Sequence, residues 1–199
     1  MLEFWNERYA AEHYLFGTTP NKFLAAQQAL FKPGQKVLAV ADGEGRNGVW
    51  LAQQGVEVLS VDFSPVAQEK AKRLAAENGV AIRFELADLL NWEWGEKRFD
   101  VIVAIFIQFA TAEQRPGLFA SIKRALKPGG YLVMQGYTPK QVEYKTGGPS
   151  NPDNMYTEAL LRESFADFDI LQLREHEETI DEGTGHSGHS ALIDLVARK

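Results

Sequence analysis

The chain has 199 residues, 45% of them hydrophobic, and a formal net charge of −6 at pH 7. That length suits one α/β domain with a substantial core and is too short for two comfortable ones. The acidic balance argues against a nucleic-acid partner, because binding to phosphates needs a basic surface. No cysteine is present, which excludes disulfides, thiolate metal sites and cysteine nucleophiles.

The chain ends and the apolar runs argue against a membrane protein. Residues 1–8 are acidic and lack the apolar core of a secretory signal. The longest mainly apolar run, residues 101–109, is about half a membrane span. We therefore expect a soluble cytoplasmic protein, a monomer or weak homodimer, without a membrane or nucleic-acid partner.

Strand-like and helix-like runs alternate along the chain, which is the pattern of βαβ units in a mostly parallel sheet. Helices are predicted near 3–12, 21–31, 46–54, 65–78, 112–126 and 155–164. Strands are predicted near 36–41, 56–61, 80–86, 99–105, 130–136, 167–180 and 188–198. Ser64 is expected to cap the fourth helix, with Pro65 in its first turn, and Asn78-Gly79 to close it.

The last two strands differ from the others because only residues 181–188 separate them. That loop is too short for a crossover helix, so it predicts an antiparallel hairpin. The expected fold is a doubly wound, mostly parallel seven-stranded sheet with a C-terminal antiparallel hairpin, in a single domain over residues 1–199. Residues 138–154, rich in glycine and polar residues, predict a loop over the carboxyl ends of the strands, where ligands bind in such sheets.

A glycine-rich turn follows the first strand. Residues 43–48 match G-x-G-x-x-G, and Asp62 ends the second strand, where a carboxylate can bind a ribose diol. The pattern by itself favours a dinucleotide and hydride transfer. Three features argue against that function: no length remains for a catalytic domain, no tyrosine is followed four residues later by lysine, and the terminal hairpin is foreign to dinucleotide-binding sheets.

Four blocks in order, residues 37–47, 61–65, 87–89 and 126–134, resemble the motifs of class I S-adenosylmethionine-dependent methyltransferases. Residues 99–104 are similar to that family's fourth strand. The resemblance implies a Rossmann-like methyltransferase fold with a cofactor-binding core over residues 36–136, followed by a C-terminal helix and hairpin over 155–199. It also implies S-adenosylmethionine as cofactor and S-adenosylhomocysteine as product.

The resemblance assigns cofactor contacts residue by residue. Gly43 and Gly45 are expected beneath the methionine moiety, Asp62 at the ribose hydroxyls, and Asp88 with Leu89 at the adenine. The full predicted set is Ala41, Asp42, Gly43, Gly45, Asn47, Asp62, Phe63, Asp88, Leu89, Ala104 and Ile105, with Phe106 beside the last two.

Two positions depart from the family pattern. Ala39 stands where the family has an acidic residue, and Ala41 stands where it has glycine. The usual contact to the cofactor's amino group must therefore come from Asp42, from Glu44 or from water. The departures also leave open a non-catalytic module that only binds the cofactor.

Residues 4–9 and 14–24 resemble the N-terminal lid of the tellurite-resistance and thiopurine methyltransferase branch. The resemblance implies that this lid, residues 1–20, folds over the cofactor. Its aromatic residues are expected in the pocket because aromatic faces favour a positively charged sulfonium. Candidate lid and substrate residues are Trp5, Tyr9, Tyr14, Phe16, Gln108, Tyr137 and His186. His186 and His189 are expected on the hairpin loop and are too few for a metal site, so we predict none.

Methyl transfer from a sulfonium is an in-line displacement in which the enzyme mainly orients the reactants and excludes water. An acid or base is optional, so no catalytic residue is assigned from the sequence. The predicted function is methyl transfer to a small-molecule acceptor, possibly a thiol or chalcogen compound. The alternatives are an NAD(P)-dependent oxidoreductase and a non-catalytic module that binds S-adenosylmethionine.

Overall fold

A computed structural model describes residues 2–199 and contains one seven-stranded sheet in the order β3-β2-β1-β4-β5-β7-β6. Its strands are β1 Lys36–Val40, β2 Glu57–Asp62, β3 Arg83–Leu86, β4 Phe99–Ile105, β5 Leu126–Tyr137, β6 Asp169–Glu182 and β7 His186–Arg198. The first five pair in parallel, and β7 runs antiparallel between β5 and β6. The predicted fold is confirmed.

Seven helices connect and cover the strands: α1 Leu2–Tyr9, α2 Lys22–Ala26, α3 Arg46–Gln53, α4 Pro65–Glu77, α5 Arg115–Ala125, α6 Gln141–Tyr144 and α7 Glu158–Ser164. Ser64 caps α4 as predicted, since its hydroxyl accepts a hydrogen bond from the Ala67 amide. The region 138–154 is less irregular than expected, because it contains α6 and a 3₁₀ turn at Pro152–Asn154. Over residues 2–199, every helix is too short or too polar to cross a membrane.

The parallel half of the sheet is buried on both faces. Along β1, Leu38 and Val40 pack into one apolar cluster, while Val37 and Ala39 pack into a second. Alternate residues of a strand point to opposite faces, so both faces need covering. Helices α5 and α7 contribute to the first cluster, whereas α2 and α3 contribute to the second.

The C-terminal hairpin is longer and tighter than predicted. Pairing continues to Glu182 opposite His186, so the turn is only residues 183–185 rather than 181–188. Gly183 has φ +71°, a left-handed conformation that glycine adopts without strain. His186 therefore lies on β7 and not on a loop. His189 is half exposed beside Glu177, whereas the His186 side chain is only 12% exposed, so the two do not form a pair.

Candidate cofactor and acceptor site

The sheet order reverses between β1 and β4, and ligands in such sheets bind outside the carboxyl ends of the strands at that point. The glycine loop, residues 41–45, follows β1 directly. Asp62 ends β2, Phe106 follows β4 and Tyr137 ends β5. The predicted core residues therefore meet at one edge of the sheet.

The glycine loop turns through left-handed conformations at Ala41 (φ +49°), Gly43 (φ +57°) and Gly45 (φ +87°). Their surroundings differ. A Cβ on Gly43 would lie 3.0 Å from the hydroxyl oxygen of Tyr9, so Gly43 faces the lid. A Cβ on Gly45 would lie 2.7 Å from the Cβ of Ala71 on α4. Glycine is thus required at position 45 because α3 packs closely on α4. The sequence motif predicted glycine there only for contact with the cofactor.

Asp62 is 5% exposed and organises the loop from the end of β2. Its Oδ2 accepts a hydrogen bond from the Gly43 amide at 2.8 Å, and its Oδ1 accepts one from the Ser64 amide at 2.8 Å. Burial raises the pKa of this carboxyl, and these backbone amides oppose the shift. Each carboxylate oxygen has a second lone pair, so the group retains capacity for a ribose diol.

Asp42 points into the protein. Its Oδ1 accepts a hydrogen bond from the Gly48 amide at 3.0 Å, and its Oδ2 accepts one from the Ser60 hydroxyl at 2.9 Å. Burial is the largest of the causes that raise the pKa of Asp42 to about 7. Its carboxyl group is therefore engaged by the protein and is a poor replacement for the acidic residue missing at Ala39.

Glu44 and Lys70 form a buried clasp that holds the lid. Glu44 Oε2 accepts a hydrogen bond from the Leu15 amide at 2.7 Å, and its Oε1 lies 2.5 Å from Lys70 Nζ. Lys70 Nζ also donates to the carbonyls of three lid residues, at 3.3, 2.8 and 2.7 Å: Tyr9, Ala11 and His13. Glu44, like Asp42, is thus committed to protein contacts.

The hairpin turn holds the same lid segment from the other side. The Gly185 amide donates to the Leu15 carbonyl at 2.9 Å. A Cβ on Gly183 would lie 2.5 Å from that carbonyl oxygen, and one on Gly185 would lie 2.3 Å from the Phe16 ring. Both turn glycines are therefore needed for the lid to pack against the hairpin.

Three of the four predicted lid aromatics form one cluster. Trp5 stacks on Tyr9 with ring centroids 5.5 Å apart, and Phe16 lies 6.3 Å from each of those rings. Phe16 also contacts the His186 ring at 4.4 Å. Tyr14 lies apart, because its hydroxyl donates to the Lys70 carbonyl on α4 at 3.3 Å.

The remaining predicted cofactor residues have structural partners. Asn47 Oδ1 accepts a hydrogen bond from the Asn21 amide at 2.9 Å. Asp88 Oδ1 accepts one from the Leu90 amide at 3.0 Å, and so closes a local turn. Phe63 is half-buried, whereas the cores hold three predicted residues: Leu89, Ala104 and Ile105. Their cofactor contacts remain predictions.

Gln108 pins the end of β5 instead of presenting a free amide. Its Nε2 donates to the Tyr137 carbonyl at 2.8 Å, and its Oε1 accepts from the Tyr137 amide at 2.7 Å. Phe106 has φ +55° and stacks on the Tyr137 ring at 4.7 Å. Gln108 therefore positions Tyr137 through both ends of its amide, and its contact with a substrate stays a prediction.

A second polar group, the acceptor cluster, comprises Arg46, Tyr137, Glu182 and His186. Arg46 Nη2 donates to Glu182 Oε2 at 2.7 Å, with both side chains less than 10% exposed. His186 Nδ1 lies 4.0 Å from the same oxygen, beyond hydrogen-bond distance. The Tyr137 ring is 5.7 Å from the His186 ring. Sequence reasoning missed Arg46 and Glu182 because 136 positions separate the paired residues.

Asn21 joins this cluster to the sheet. Its Nδ2 donates to Glu182 Oε1 at 2.8 Å and to Gln135 Oε1 at 2.7 Å. Gln135 Nε2 in turn donates to Asp194 Oδ1 at 2.6 Å, and Asp194 Oδ2 lies 2.9 Å from His176 Nε2. This network of hydrogen bonds connects Glu182 to side chains of β5 and β7, so the sheet holds the Glu182 side chain in place.

Burial controls the protonation of two residues of the cluster. It lowers the pKa of His186 to about 3, with smaller contributions from the charges of Arg46 and Arg8. Burial and the charge of Glu182 raise the pKa of Tyr137. At neutral pH the imidazole and the phenol are therefore both uncharged.

Residues 37–130 match a family model described as a methyltransferase domain. This stretch is just under half of the chain and is the part in which the resemblance to class I methyltransferases lies. It is 33% identical over 117 residues to the demethylmenaquinone methyltransferase of Deinococcus radiodurans, a match that covers 58% of this chain and 48% of that protein. The match spans about half the length of the first three curated relatives.

Two solved structures resemble this chain over its whole length. TehB from Haemophilus influenzae has a TM-score of 0.72 at 20% identity, covering 100% of this chain and 66% of that one. The N-methyltransferase NodS from Bradyrhizobium japonicum, in complex with S-adenosyl-L-homocysteine, has a TM-score of 0.73 at 14% identity, covering 100% and 97%. At these identities the likeness establishes the fold.

S-adenosylmethionine, the cofactor of this family, is compatible with the residues of the site. The lack of a side chain at Gly43 leaves open the space next to the Tyr9 hydroxyl that a Cβ would occupy. The Asp62 oxygens keep lone pairs for hydroxyl donors. The stacked rings of Trp5 and Tyr9 supply the aromatic surface that a sulfonium favours. Both acids of the glycine loop, Asp42 and Glu44, already have protein partners, and the contact to the cofactor's amino group from Asp42, Glu44 or water stays a prediction.

Proposed function

We propose that this protein transfers the methyl group of S-adenosylmethionine to a small-molecule acceptor. The observation that carries the proposal is the glycine loop, ordered by Asp62 at the point where the sheet order reverses, beneath an aromatic lid. The family of the domain supports it. The oxidoreductase alternative gains nothing from these observations.

The proposal divides the site between cofactor and acceptor. Asp62 binds the ribose hydroxyls, Gly43 lies under the methionine moiety, and Asp88 with Leu89 meets the adenine. Trp5, Tyr9 and Phe16 close over the sulfonium, while Tyr137 and His186 face the acceptor. Tyr14 and Gln108 hold α4 and β5 in place through their contacts with Lys70 and Tyr137.

When bound, the cofactor supplies an electrophilic methyl group on a good leaving group. This chain's residues then have two tasks: to hold the nucleophile in line with the methyl carbon and to exclude water. The Glu44–Lys70 clasp and the hairpin turn perform the second task by holding residues 9–17 over the site. Lid opening and closing then admits reactants and releases products.

A thiol or chalcogen compound is the proposed class of acceptor. The enclosed aromatic surroundings of His186 support a small, soft nucleophile. Cytoplasmic location, a monomeric or weakly dimeric state and the lack of a nucleic-acid partner stay predictions from the sequence.

Calorimetry with S-adenosylmethionine, S-adenosylhomocysteine and NADH tests the proposal. We expect both adenosyl compounds to bind and NADH to give no heat of binding. Tight binding of NADH alone would overturn the proposal in favour of an oxidoreductase. Binding of S-adenosylmethionine without turnover on a panel of thiols, selenols and tellurite would instead indicate a cofactor-binding module.

A further inference from the structure

Three buried polar atoms of the acceptor cluster have no hydrogen-bond partner within residues 2–199: Arg46 Nη1, Tyr137 Oη and His186 Nδ1. A buried polar atom left unsatisfied costs about 1–3 kcal/mol, and native proteins rarely leave one without a reason. Three such atoms in one cluster indicate groups that a ligand completes.

The three side chains are held so that they cannot satisfy one another. Glu182 occupies the other guanidinium nitrogen of Arg46, and Gln108 fixes the backbone of Tyr137 through both ends of its amide. The rings of Phe16, from the lid, and Phe106, after β4, hold the His186 ring in place, with centroids 4.4 and 4.3 Å from its centroid. The cluster is therefore preorganised to bind a ligand.

The available hydrogen bonds select the charge of that ligand. Arg46 Nη1 only donates, and the phenol of Tyr137 donates well to an anion. Hydrogen bonds from charged or strongly polar donors to an anion are the strong ones in a buried site. Glu182 balances the charge of Arg46, so an anionic nucleophile would be balanced by the positive sulfonium of the bound cofactor.

No group of the cluster is suited to take a proton from the acceptor. The groups around His186 are Arg8 from α1, Arg46 at the start of α3, Tyr137 from β5 and Glu182 from β6. Both oxygens of Glu182 are already engaged, Oε2 by Arg46 and Oε1 by Asn21. His186 is a weak base there because burial and the two arginines oppose its charge. An acceptor that ionises without help is therefore required.

We propose that Arg46 and Tyr137 bind the methyl acceptor as its anion, the thiolate or phenolate form of an acidic acceptor. This inference rests on the proposed function. The acceptor loses its proton to solvent before it binds, and its lone pair forms the new bond to the methyl carbon. The bond from that carbon to the sulfonium sulfur breaks, and the electron pair of that bond stays on sulfur.

The test uses 4-nitrophenol, because its phenolate is yellow and its phenol is colourless. The probe is titrated with the protein alone, with S-adenosylhomocysteine and, before turnover, with S-adenosylmethionine, whose sulfonium supplies the balancing charge. Its ionised fraction is read from visible absorbance. We expect the bound probe to be more ionised than the free probe at the same pH. A bound probe that is equally or less ionised, or no binding, would overturn the inference.

Tyr137→Phe supplies the decisive variant, because it keeps the ring stacked on Phe106 and removes only a hydroxyl oxygen that has no partner. We expect it to bind the phenolate about tenfold more weakly, the effect of one hydrogen bond to a charged group. Tyr156→Phe is the matched control, since Tyr156 is equally buried but packs on Phe119 of α5. Equal losses in the two variants would reject the role of Tyr137.

Competition separates the two sources of the anion. Thiophenol and a polyfluorinated phenol of similar acidity displace the probe, and the tighter competitor identifies sulfur or oxygen as the preferred nucleophile. Failure of both to displace it counts against the site. Calorimetry with S-adenosylhomocysteine runs in parallel: loss of that binding contradicts the proposed function, whereas the probe measured alone still reports on the cluster.

Discussion

The glycine loop with Asp62 and the acceptor cluster adjoin each other, since Arg46 follows Gly45, yet they treat buried polar groups in opposite ways. In the loop region, the Asp42 and Asp62 carboxylates accept hydrogen bonds from amides or a hydroxyl within about 20 residues. In the cluster, the partners are far apart in sequence and three polar atoms remain unsatisfied. The protein therefore completes its cofactor side by itself and leaves its acceptor side for a ligand to complete.

Gly45→Val should break the cofactor side most severely. The new side chain combines left-handed strain, about 1–2 kcal/mol, with overpacking against Ala71, about 1–3 kcal/mol, so we expect unfolding to become easier by about 4 kcal/mol. Urea denaturation measures the change. Gly34→Val is the control, because Gly34 has φ +82° but open space around its Cβ position. Equal losses would mean that α4 does not press on the loop.

Lys70→Met should release the lid from the cofactor side. It removes one partner of a buried ion pair and the donor to three lid carbonyls, so we expect a loss near 3 kcal/mol. The loss should appear as faster limited proteolysis within residues 9–17, slowed by S-adenosylhomocysteine. Lys72→Met is the control: its pair with Glu69 is exposed and should contribute under about 0.5 kcal/mol. Unchanged cleavage in Lys70→Met would show that the Glu44–Lys70 clasp does not hold the lid in place.

The two regions should give opposite dependences of stability on pH. For Asp42, the pKa is about 7 in the folded chain against a model value of 3.8, so the folded state binds the extra proton between these values. Stability contributed at low pH is then lost as the pH rises through this window, by about 2–4 kcal/mol. Asp42→Asn should remove that fall, as measured by urea denaturation at a series of pH values.

His186 titrates with the opposite sign. Its folded pKa of about 3 lies below the model value of 6.5, so the unfolded chain binds the extra proton. Stability is complete above about pH 6.5 and is lost as the pH falls toward 3. This window overlaps that of Asp42, so the two opposite effects partly cancel in the unaltered protein. His186→Phe should therefore steepen the fall in stability with rising pH that Asp42 causes. An unchanged pH profile in His186→Phe would contradict the titration of His186.

Asp62→Asn should weaken the cofactor side without removing its shape. The amide keeps the size of the carboxyl but loses the charge and one acceptor oxygen, and either the Gly43 or the Ser64 amide loses its partner. We expect the affinity for S-adenosylhomocysteine to fall by about 1–3 kcal/mol, measured by calorimetry. Asp167→Asn is the comparison, since Asp167 is 61% exposed, pairs with Lys123 on α5 and has no part in the proposed site. An unaltered affinity in Asp62→Asn would remove the ribose assignment.

The same contrast explains what sequence patterns predicted. The mostly parallel seven-stranded sheet, the hairpin, the cap at Ser64 and the position of Asp62 depend on local periodicity and on motifs of a few residues, so they were predictable. The turn at residues 183–185 was predicted too long, because the lid carbonyl of Leu15 stabilises it from the other end of the chain. Local composition carries no record of that contact.

The acceptor cluster was only half predictable. Tyr137 and His186 stand near strand ends where substrate residues are expected, but Arg46 and Glu182 acquire a role only through their mutual contact. Gln108 also stands near a strand end, and the structure engages its amide with the Tyr137 backbone. The sequence therefore predicts which residues lie at the ligand-binding edge of the sheet. The hydrogen bonds that these residues make in the structure determine which side chains can still bind a ligand.

Ala41→Gly should produce the smallest effect and the only gain. Ala41 has φ +49°, in the left-handed region where a Cβ is strained, and the family places glycine there. Relief of the strain should exceed the entropy that glycine adds to the unfolded chain, so we expect a gain of about 0.5–1 kcal/mol in urea denaturation. Ala39→Gly on β1 is the control and should destabilise, because its buried methyl packs in the second cluster. A loss at Ala41 as large as that at Ala39 would mean that the Ala41 methyl contributes packing that outweighs its strain.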